Sequence, residues 1–324
     1  MKQIYSSKMK PLGGYLELQL EKGQDYYPLL LKLNTGRNAF EYILKVKRYT
    51  SIYLPYFTCE VLLEPLRKLG IQYQFYTINE KMDPVLDFEV GPTECFLYTN
   101  YFGLKQDTIL RLSKQFKNLI VDNSQAFFSE PVDGLDTFYS CRKFFGVPDG
   151  AYLNTDSLVR LKLERDLSCD RFSHLIKNID VGIENGYQDY IENNIVLSNN
   201  PIKKMSALSH RILSGIDYKE CKYRRNSNFM YLHDFLVNYN DYAFDASSVN
   251  GPMAYPLLIS STLVRKKLLE KRIYVATYWP NVLDWTTKKM YENYLTTHLL
   301  ALPIDHRYTH ADMKRILNVL KQLL

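Results

Sequence analysis

The sequence is organised around a segment that reads Phe138-Tyr-Ser140-Cys-Arg-Lys143-Phe-Phe-Gly-Val-Pro-Asp-Gly150. One lysine stands here among apolar residues, three positions after a serine and within a loop rich in Gly and Pro. Burial in an apolar pocket lowers the pKa of a lysine, and the neutral amine is a nucleophile. The segment therefore predicts either a nucleophilic Lys143 or a surface lysine whose aliphatic stem covers the Phe144-Phe145 pair.

Upstream of this segment, strands and helices alternate. The sequence predicts strands at 51–54, 71–78, 94–99, 118–121 and 137–140, with helices at 59–69 and 107–116. This alternation is typical of βαβ units and a mostly parallel sheet, in which ligands bind beyond the carboxyl ends of the strands. No GxGxxG motif follows a strand, so a dinucleotide site is not supported. Polar residues do follow the strands, at 55–58, Asn100, Asp122 and Ser140.

Length and composition narrow the class of protein. The 324 residues, 46% of them hydrophobic, predict a substantial core and two domains. The net charge of +6 is spread without a basic stripe, so no nucleic-acid partner is expected. Five cysteines without a CxxC pair and six dispersed histidines predict neither disulfides nor a metal site. The segment 1–14 lacks the apolar core of a signal peptide, and no apolar run approaches the ~20 residues of a membrane span. We therefore expect a cytoplasmic protein.

The expected division is a large domain at 1–215, with an N-terminal arm at 12–20, and a small α/β domain at 216–324. A long loop is predicted at 180–200, where Asn and Gly are frequent, and helices at 206–213 and 218–237. The small domain is predicted to contain strands at 254–259, 273–277 and 300–303 and helices at 261–271, 288–297 and 310–323.

Two further features bear on a binding site. Thr35 and Gly36 begin a helical pattern, and a helix start of this kind either is a simple N-cap or binds a phosphate. Asp122 ends an apolar strand and is followed by Gln125. An aspartate at such a position is either a turn residue or the carboxylate that keeps a pyridine nitrogen protonated.

The helix start, the strand-end aspartate and the lysine loop, in this order, resemble the DegT/DnrJ/EryC1/StrS aminotransferases. These are pyridoxal phosphate (PLP) enzymes of fold type I that act mostly on nucleotide-linked keto sugars. The resemblance covers most of the chain. Its matching segments are Leu54-Pro-Tyr-Phe-Thr58, Asn100-Tyr-Phe-Gly103, Asp122-Asn-Ser-Gln125, Ser140-Cys-Arg-Lys143 with Asp149-Gly150, and Leu302-Pro-Ile304.

The resemblance implies a role for each matching residue. Lys143 would bind the cofactor covalently and then move the proton at the substrate's α carbon, and Asp122 would pair with the pyridine nitrogen. Gln125 would lie beside the ring hydroxyl. The phosphate would be bound by Thr35, Gly36 and Ser140, with Arg37 as an added cation.

The chain departs from the family pattern at three places. Cys59 stands where the family places an aromatic residue over the ring, and Ala151 replaces the second glycine of the lysine loop. The neighbour-subunit Asn-x-Arg motif is replaced by Ile202-Lys-Lys-Met-Ser206. The fold type implies a homodimer, in which the Lys203-Lys204 pair would serve the phosphate of the neighbouring site.

The resemblance thus predicts a PLP-dependent aminotransferase that moves an amino group from an amino acid, glutamate, to a keto sugar linked to a nucleotide. The alternatives are a non-catalytic homologue that binds PLP or a sugar nucleotide, another PLP reaction on the same scaffold, and a binding domain unrelated to PLP. The aromatic residues at 278–280 and Trp285 are read either as pocket walls or as core.

Overall fold

The computed structural model describes residues 12–324. Residues 1–11, which include most of the segment read for a signal peptide, lie outside this range. The expected arm at 12–20 has no regular secondary structure, and Gly13 and Gly14 both adopt positive φ angles. No helix in the described part of the chain is long and apolar enough to cross a bilayer.

The centre of the fold is a seven-stranded sheet in the order β1-β7-β6-β5-β4-β2-β3. The strands β2 to β6 pair in parallel, whereas β7 is antiparallel to both β6 and β1. The mostly parallel sheet predicted from the sequence is confirmed. Its strands are β1 (Leu31–Leu33), β2 (Ser51–Pro55), β3 (Gln72–Tyr76), β4 (Glu94–Thr99), β5 (Leu119–Asp122), β6 (Asp136–Ser140) and β7 (Ala151–Asn154).

Both faces of this sheet are buried, which explains why its central strands are almost continuously apolar. Along β4, Cys95 and Leu97 pack on one face with helices α1 (Gly36–Lys47) and α2 (Leu63–Leu69). The alternate residues Phe96 and Tyr98 pack on the other face, together with α3 (Gln106–Ser113).

The predicted loop at 180–200 is wrong, because this region folds into a helical hairpin of α4 (Ser173–Asp180) and α5 (Ile183–Leu197). Packing outweighs the poor helix propensity of its Gly and Asn residues. Gly186 allows the close approach, since a Cβ atom there would lie 2.7 Å from the carbonyl oxygen of His174. Asn193 is buried and donates a hydrogen bond of 2.9 Å to the carbonyl oxygen of Pro148.

The rest of the chain packs around a second, two-stranded antiparallel sheet of β8 (Ala254–Leu258) and β9 (Leu299–Pro303). The strand predicted at 273–277 is not formed. Instead of a neighbouring strand, the guanidinium of Arg265 donates to the carbonyl oxygens of Val275 and Ala276, at 3.2 and 3.0 Å. The helices here are α6 (Ala207–Ser214), α7 (Tyr218–Leu236), α8 (Leu263–Glu270), α9 (Pro280–Trp285), α10 (Tyr291–His298) and α11 (His310–Leu320).

The boundary predicted near residue 215 falls in the turn between α6 and α7. Side chains from beyond this turn, including Cys221, Ala254 and Leu258, belong to the same core cluster as Phe96 and Tyr98 of the main sheet. The division into 1–215 and 216–324 therefore stays a prediction.

Candidate active site

Three predicted site residues meet at the carboxyl edge of the main sheet because adjacent parallel strands end there. Thr99 at the end of β4 is in register with Asp122 at the end of β5, which in turn is in register with Phe138 of β6. Ser140 ends β6 two residues later, immediately before the turn of 3-10 helix Cys141–Lys143. The strand register thus places Asp122, Ser140 and Lys143 on one side of the molecule.

The N-terminus of α1 reaches the same place. Thr35 is the N-cap, and its hydroxyl oxygen accepts a hydrogen bond of 3.0 Å from the backbone N–H of Asn38. A Cβ atom on Gly36 would lie 3.5 Å from the Cβ of Ser140, so the two residues are neighbours. The first N–H groups of a helix have no partner within the helix, and the helix dipole favours an anion there. Thr35, Gly36 and Ser140 therefore form a cradle that suits a phosphate.

The guanidinium of Arg37 already has partners within the protein. Its guanidinium forms an ion pair with Glu64 and donates to the carbonyl oxygen of Leu197 at 3.4 Å. Its positive charge is therefore balanced within the described chain, and its assignment to a phosphate stays a prediction.

Asp122 is a buried carboxylate that faces a lysine. Its Oδ1 accepts a hydrogen bond of 2.8 Å from the backbone N–H of Ser124. Burial raises the pKa of the Asp122 carboxyl, and the nearby positive charge of Lys143 opposes this rise without cancelling it. A buried carboxylate is stabilised by a cationic hydrogen-bond donor such as a pyridinium.

Gln125 carries the clearest sign of a missing partner. Its side-chain oxygen accepts a hydrogen bond of 2.9 Å from the backbone N–H of Phe102, which fixes the orientation of the amide. Its Nε2 is buried and has no hydrogen-bond partner among the described residues. A buried donor without an acceptor is costly. The orphaned amide therefore fits the predicted role beside the hydroxyl of a bound ring.

Lys143 lies at this site but is not enclosed as predicted. Its side chain is exposed, and its amine donates a hydrogen bond of 3.1 Å to the hydroxyl of Ser124. Phe144 and Phe145 are buried on the other side of the loop, where both rings pack against Phe127. The apolar pocket predicted for a nucleophilic Lys143 is therefore not formed by Phe144 and Phe145, because the turn that exposes Lys143 directs the following side chains into the core.

The sequence reasoning included Asp149 in the lysine loop but predicted neither its anchoring contacts nor those of Arg142. Asp149 is buried and accepts hydrogen bonds from the N–H and hydroxyl of Ser206, at 2.8 and 2.6 Å, and from the hydroxyl of Ser209. It thus ties the loop to the start of α6. Arg142 donates at 2.7 Å to Oδ1 of Asn194, which ties the loop to α5. The Ser-x-x-Ser spacing at the start of α6 is the only sequence signal of the first anchor.

The aromatic residues read either as pocket walls or as core, at 278–280 and Trp285, do not all have the same surroundings. Trp279 is buried. The centroid of its ring lies 5.1 Å from that of Phe57 in an edge-to-face pair, so Trp279 belongs to the core. Trp285 is half-buried and packs on Phe75, whose ring stacks on Tyr56. Cys59, at the position that the family gives to the ring-stacking aromatic, is partly exposed.

No family model matches the chain, and no curated protein matches it in sequence. Solved structures match it in fold. A DegT/DnrJ/EryC1/StrS aminotransferase from Brucella abortus is 13% identical, with a TM-score of 0.62 over 91% of this chain and 85% of its own. DesI, in the presence of its TDP-sugar product, is 15% identical, with a TM-score of 0.63 over 90% of this chain and 80% of its own. NtdA from Bacillus subtilis, with the cofactor PMP bound, is 15% identical, with a TM-score of 0.61 over 90% and 73%.

At these identities the match concerns the fold. The predicted α/β fold of the type I PLP-dependent transferases is confirmed, and so is the resemblance in fold to the DegT/DnrJ/EryC1/StrS aminotransferases.

Proposed function

We propose that this protein is a PLP-dependent aminotransferase that moves an amino group from an amino acid to a keto sugar. The observation that carries the proposal is the convergence of Asp122, Gln125 and Lys143 with the N-terminus of α1 at one edge of the sheet. Each of these groups matches one part of the cofactor: a ring nitrogen, a ring hydroxyl, an aldehyde and a phosphate. The solved structures of similar fold support the same chemistry.

The residues of this chain would hold the cofactor as follows. The carboxylate of Asp122 would accept a hydrogen bond from the protonated ring nitrogen, and the unpaired Nε2 of Gln125 would donate one to the ring hydroxyl. Thr35, Gly36 and Ser140 would bind the phosphate at the helix start. Arg37 would add long-range positive charge while it remains paired with Glu64. When bound, PLP supplies the electron-withdrawing ring that stabilises negative charge at the substrate's α carbon.

Lys143 would act as nucleophile and as proton carrier. The amine of Lys143 is exposed; it would bind the aldehyde carbon of the cofactor and, once released, would take the proton from the substrate's α carbon. The hydroxyl of Ser124, at 3.1 Å, would hold the released amine in place. Among residues 12–324, no group of His, Cys, Asp or Glu side chains is arranged to hold a metal ion, so the proposal assigns no metal ligand.

We assign glutamate as the amino donor and a nucleotide-linked keto sugar as the acceptor. The support is the fold shared with DesI, whose structure was determined in the presence of a TDP-sugar product. Trp285 packs on Phe75, whose ring stacks on Tyr56 directly after the carboxyl end of β2, and we assign this aromatic surface to contact with a sugar or base.

We further propose that two copies of the chain form the active unit. The α4–α5 hairpin exposes apolar side chains, among them Ile179 at 85% and Ile195 at 66% of their surface. Exposed apolar surface of this extent marks an interface. Arg142 joins the hairpin to the lysine loop, so a partner bound there would help to exclude water from Lys143.

The two lysines of the Lys203-Lys204 pair differ in their surroundings. Lys203 lies 3.4 Å from the carboxylate of Asp166. Lys204 is exposed and forms no ion pair with any residue from 12 to 324. We therefore assign Lys204, rather than Lys203, to the phosphate in the neighbouring subunit.

The visible spectrum of the purified protein tests the proposed function. Protein saturated with PLP should absorb in the visible range, and addition of glutamate should shift this band as the amino group is transferred. A Lys143→Ala variant, treated identically, should show no shift with glutamate. PLP binding without any response to glutamate or other amino acids would favour the non-catalytic homologue, and absence of PLP binding would contradict both assignments.

A further inference from the structure

Arg225 of α7 is a fully buried arginine with no ion-pair partner in the part of the chain that the structure describes. Burial lowers the pKa of its guanidinium to about 10. A buried cation is costly, and that of Arg225 is compensated by the nearby negative charge of Asp305 and by hydrogen-bond acceptors of its two terminal nitrogens, whereas its Nε has no partner among the described residues. Those acceptors are three backbone carbonyl oxygens, belonging to Pro252 at 3.1 Å, Met253 at 3.3 Å and Phe144 at 3.3 Å.

One of these acceptors belongs to the residue that follows Lys143. The guanidinium also lies over the ring of Phe144, 4.6 Å from its centroid. Arg225 therefore contacts both the backbone and the side chain of Phe144. This fixes the end of the short helix that carries Lys143.

One of the other two acceptors, the carbonyl oxygen of Met253, belongs to a residue that is linked to Gln125. The backbone N–H of Met253 donates at 3.0 Å to the carbonyl oxygen of Phe102. The backbone N–H of Phe102 donates at 2.9 Å to the side-chain oxygen of Gln125. Hydrogen bonds and the backbones of Met253 and Phe102 thus join the lysine loop, through Arg225, to the side chain of Gln125.

The segment that carries this chain has little freedom to move. Gly251 has a φ of +63°, and a Cβ atom there would lie 2.3 Å from the ring of Phe128. Its N–H donates at 2.7 Å to Asn226, the residue after Arg225. Asn250 donates at 3.0 Å to the carbonyl oxygen of Phe128. The segment 250–253, which carries two of the acceptors of Arg225, is therefore held by Phe128 and by Asn226.

We propose that Arg225 is a positioning residue that keeps the amine of Lys143 in register with Gln125. This rests on the proposed function, because it concerns the two groups that would contact the cofactor. Arg225 touches neither the phosphate cradle nor Asp122 in the structure. Its loss should therefore weaken the reaction of Lys143 with an aldehyde more than the binding of a phosphorylated pyridine.

Arginine suits this role because its planar group can donate to several carbonyl oxygens at once, whereas lysine offers a single ammonium. Arg225→Lys keeps the charge and removes part of the bonding, and Arg225→Met removes both. Arg265 provides the matched control. Its guanidinium also donates to three backbone carbonyl oxygens, those of Val275, Ala276 and Leu299, away from the lysine loop.

The test compares two ligands on the full-length protein. Pyridoxine 5′-phosphate has no aldehyde, so its Kd reports cofactor binding without the lysine. The rate at which PLP attaches to Lys143, measured by trapping with borohydride, reports how well the amine is positioned relative to Gln125. Arg225→Lys should slow attachment about tenfold, the equivalent of one hydrogen bond, with less than a threefold change in the Kd of pyridoxine 5′-phosphate. Arg265→Met should leave both unchanged.

Hydrogen–deuterium exchange of the protein without cofactor provides a readout independent of the chemistry. The peptide that spans 141–147 should exchange faster in Arg225→Lys than in the wild type, and equally in Arg265→Met. Equal attachment rates in Arg225→Lys and wild type would overturn the positioning role alone. A wild-type protein that attaches no PLP at Lys143 would overturn the proposed function as well. If Arg225→Met does not fold, the attachment rate and the hydrogen–deuterium exchange of Arg225→Lys still test the positioning role.

Discussion

The amine of Lys143 donates a hydrogen bond of 3.1 Å to the hydroxyl of Ser124. The backbone N–H of Ser124 donates in turn to the carboxylate of Asp122, at 2.8 Å. Ser124 therefore stands between the proposed nucleophile and the proposed partner of the ring nitrogen, two groups that lie on different strands and loops.

Ser124→Ala removes the acceptor of the Lys143 amine and leaves the backbone contact with Asp122 intact. We expect the half-reaction with glutamate to slow about tenfold, because a hydrogen bond to a charged group contributes about 1.5–3 kcal/mol and this one is partly exposed. Single-turnover absorbance changes measure the rate. Ser113→Ala is the control, because the half-buried Ser113 donates its hydroxyl to the carbonyl oxygen of Leu110 within α3, away from Lys143. A Ser124→Ala rate equal to that of the wild type would show that the hydroxyl does not position the lysine.

Asp122→Asn should have opposite effects on the protein without cofactor and on the protein loaded with PLP. Because burial raises the pKa of Asp122, the folded state holds this proton more tightly than the unfolded chain does. The contribution of Asp122 to the free energy of unfolding therefore falls as the pH rises above its unfolded pKa of about 3.9. Without PLP, Asp122→Asn should be at least as stable as the wild type at pH 7, and this advantage should vanish towards pH 4.

In the loaded protein the same substitution should be harmful. An amide cannot keep the ring nitrogen protonated, so Asp122→Asn should retain PLP yet lose most of the half-reaction rate. Thermal unfolding at several pH values and single-turnover kinetics check the two parts. An unchanged half-reaction rate would remove Asp122 from the site.

Gln125→Glu keeps the oxygen that accepts from the N–H of Phe102 and removes the unpaired donor. PLP should bind about tenfold more weakly, because the ring hydroxyl loses its donor. Absorbance titration gives the Kd. Gln322→Glu, at an exposed position after α11, is the control for the change of charge. Unaltered affinity in Gln125→Glu would mean that the orphaned amide does not contact the cofactor.

The double substitution Ile179→Asp and Ile195→Asp tests the assembly. Placing two carboxylates in an apolar interface is unfavourable, so a wild-type homodimer should become a monomer in light scattering. Leu269→Asp, on α8 with 57% of its surface exposed, should leave the dimer intact. A wild type that is monomeric at micromolar concentration and fully active would contradict the shared site.

The sequence predicted the main sheet well because its strands are apolar and bounded by polar residues. It placed Asp122 and Ser140 at strand ends for the same reason, since the carboxyl ends of parallel strands share one edge, and the roles of these residues stay predictions. It failed at the α4–α5 hairpin, where the fit of Gly186 against His174 decides the structure. It also misjudged the surroundings of Lys143, because an apolar sequence neighbour such as Phe144 points away from it.

Other features have no local sequence signal at all. The role of Arg225 depends on carbonyl oxygens that are distant along the chain, at Phe144 and at Pro252–Met253. The free donor of Gln125 is visible only once the partner of its oxygen is known. Such contacts arise from tertiary packing and need the folded structure.

The most direct test of the account is to locate PLP on the chain. Protein saturated with PLP is reduced with borohydride, digested and mapped by mass spectrometry. The account predicts one modified peptide that contains Lys143, and a loss of turnover of about 10²–10⁴-fold or more in Lys143→Ala, because nucleophile and proton carrier are removed together. An adduct on another lysine, or no adduct in saturated protein, would contradict it.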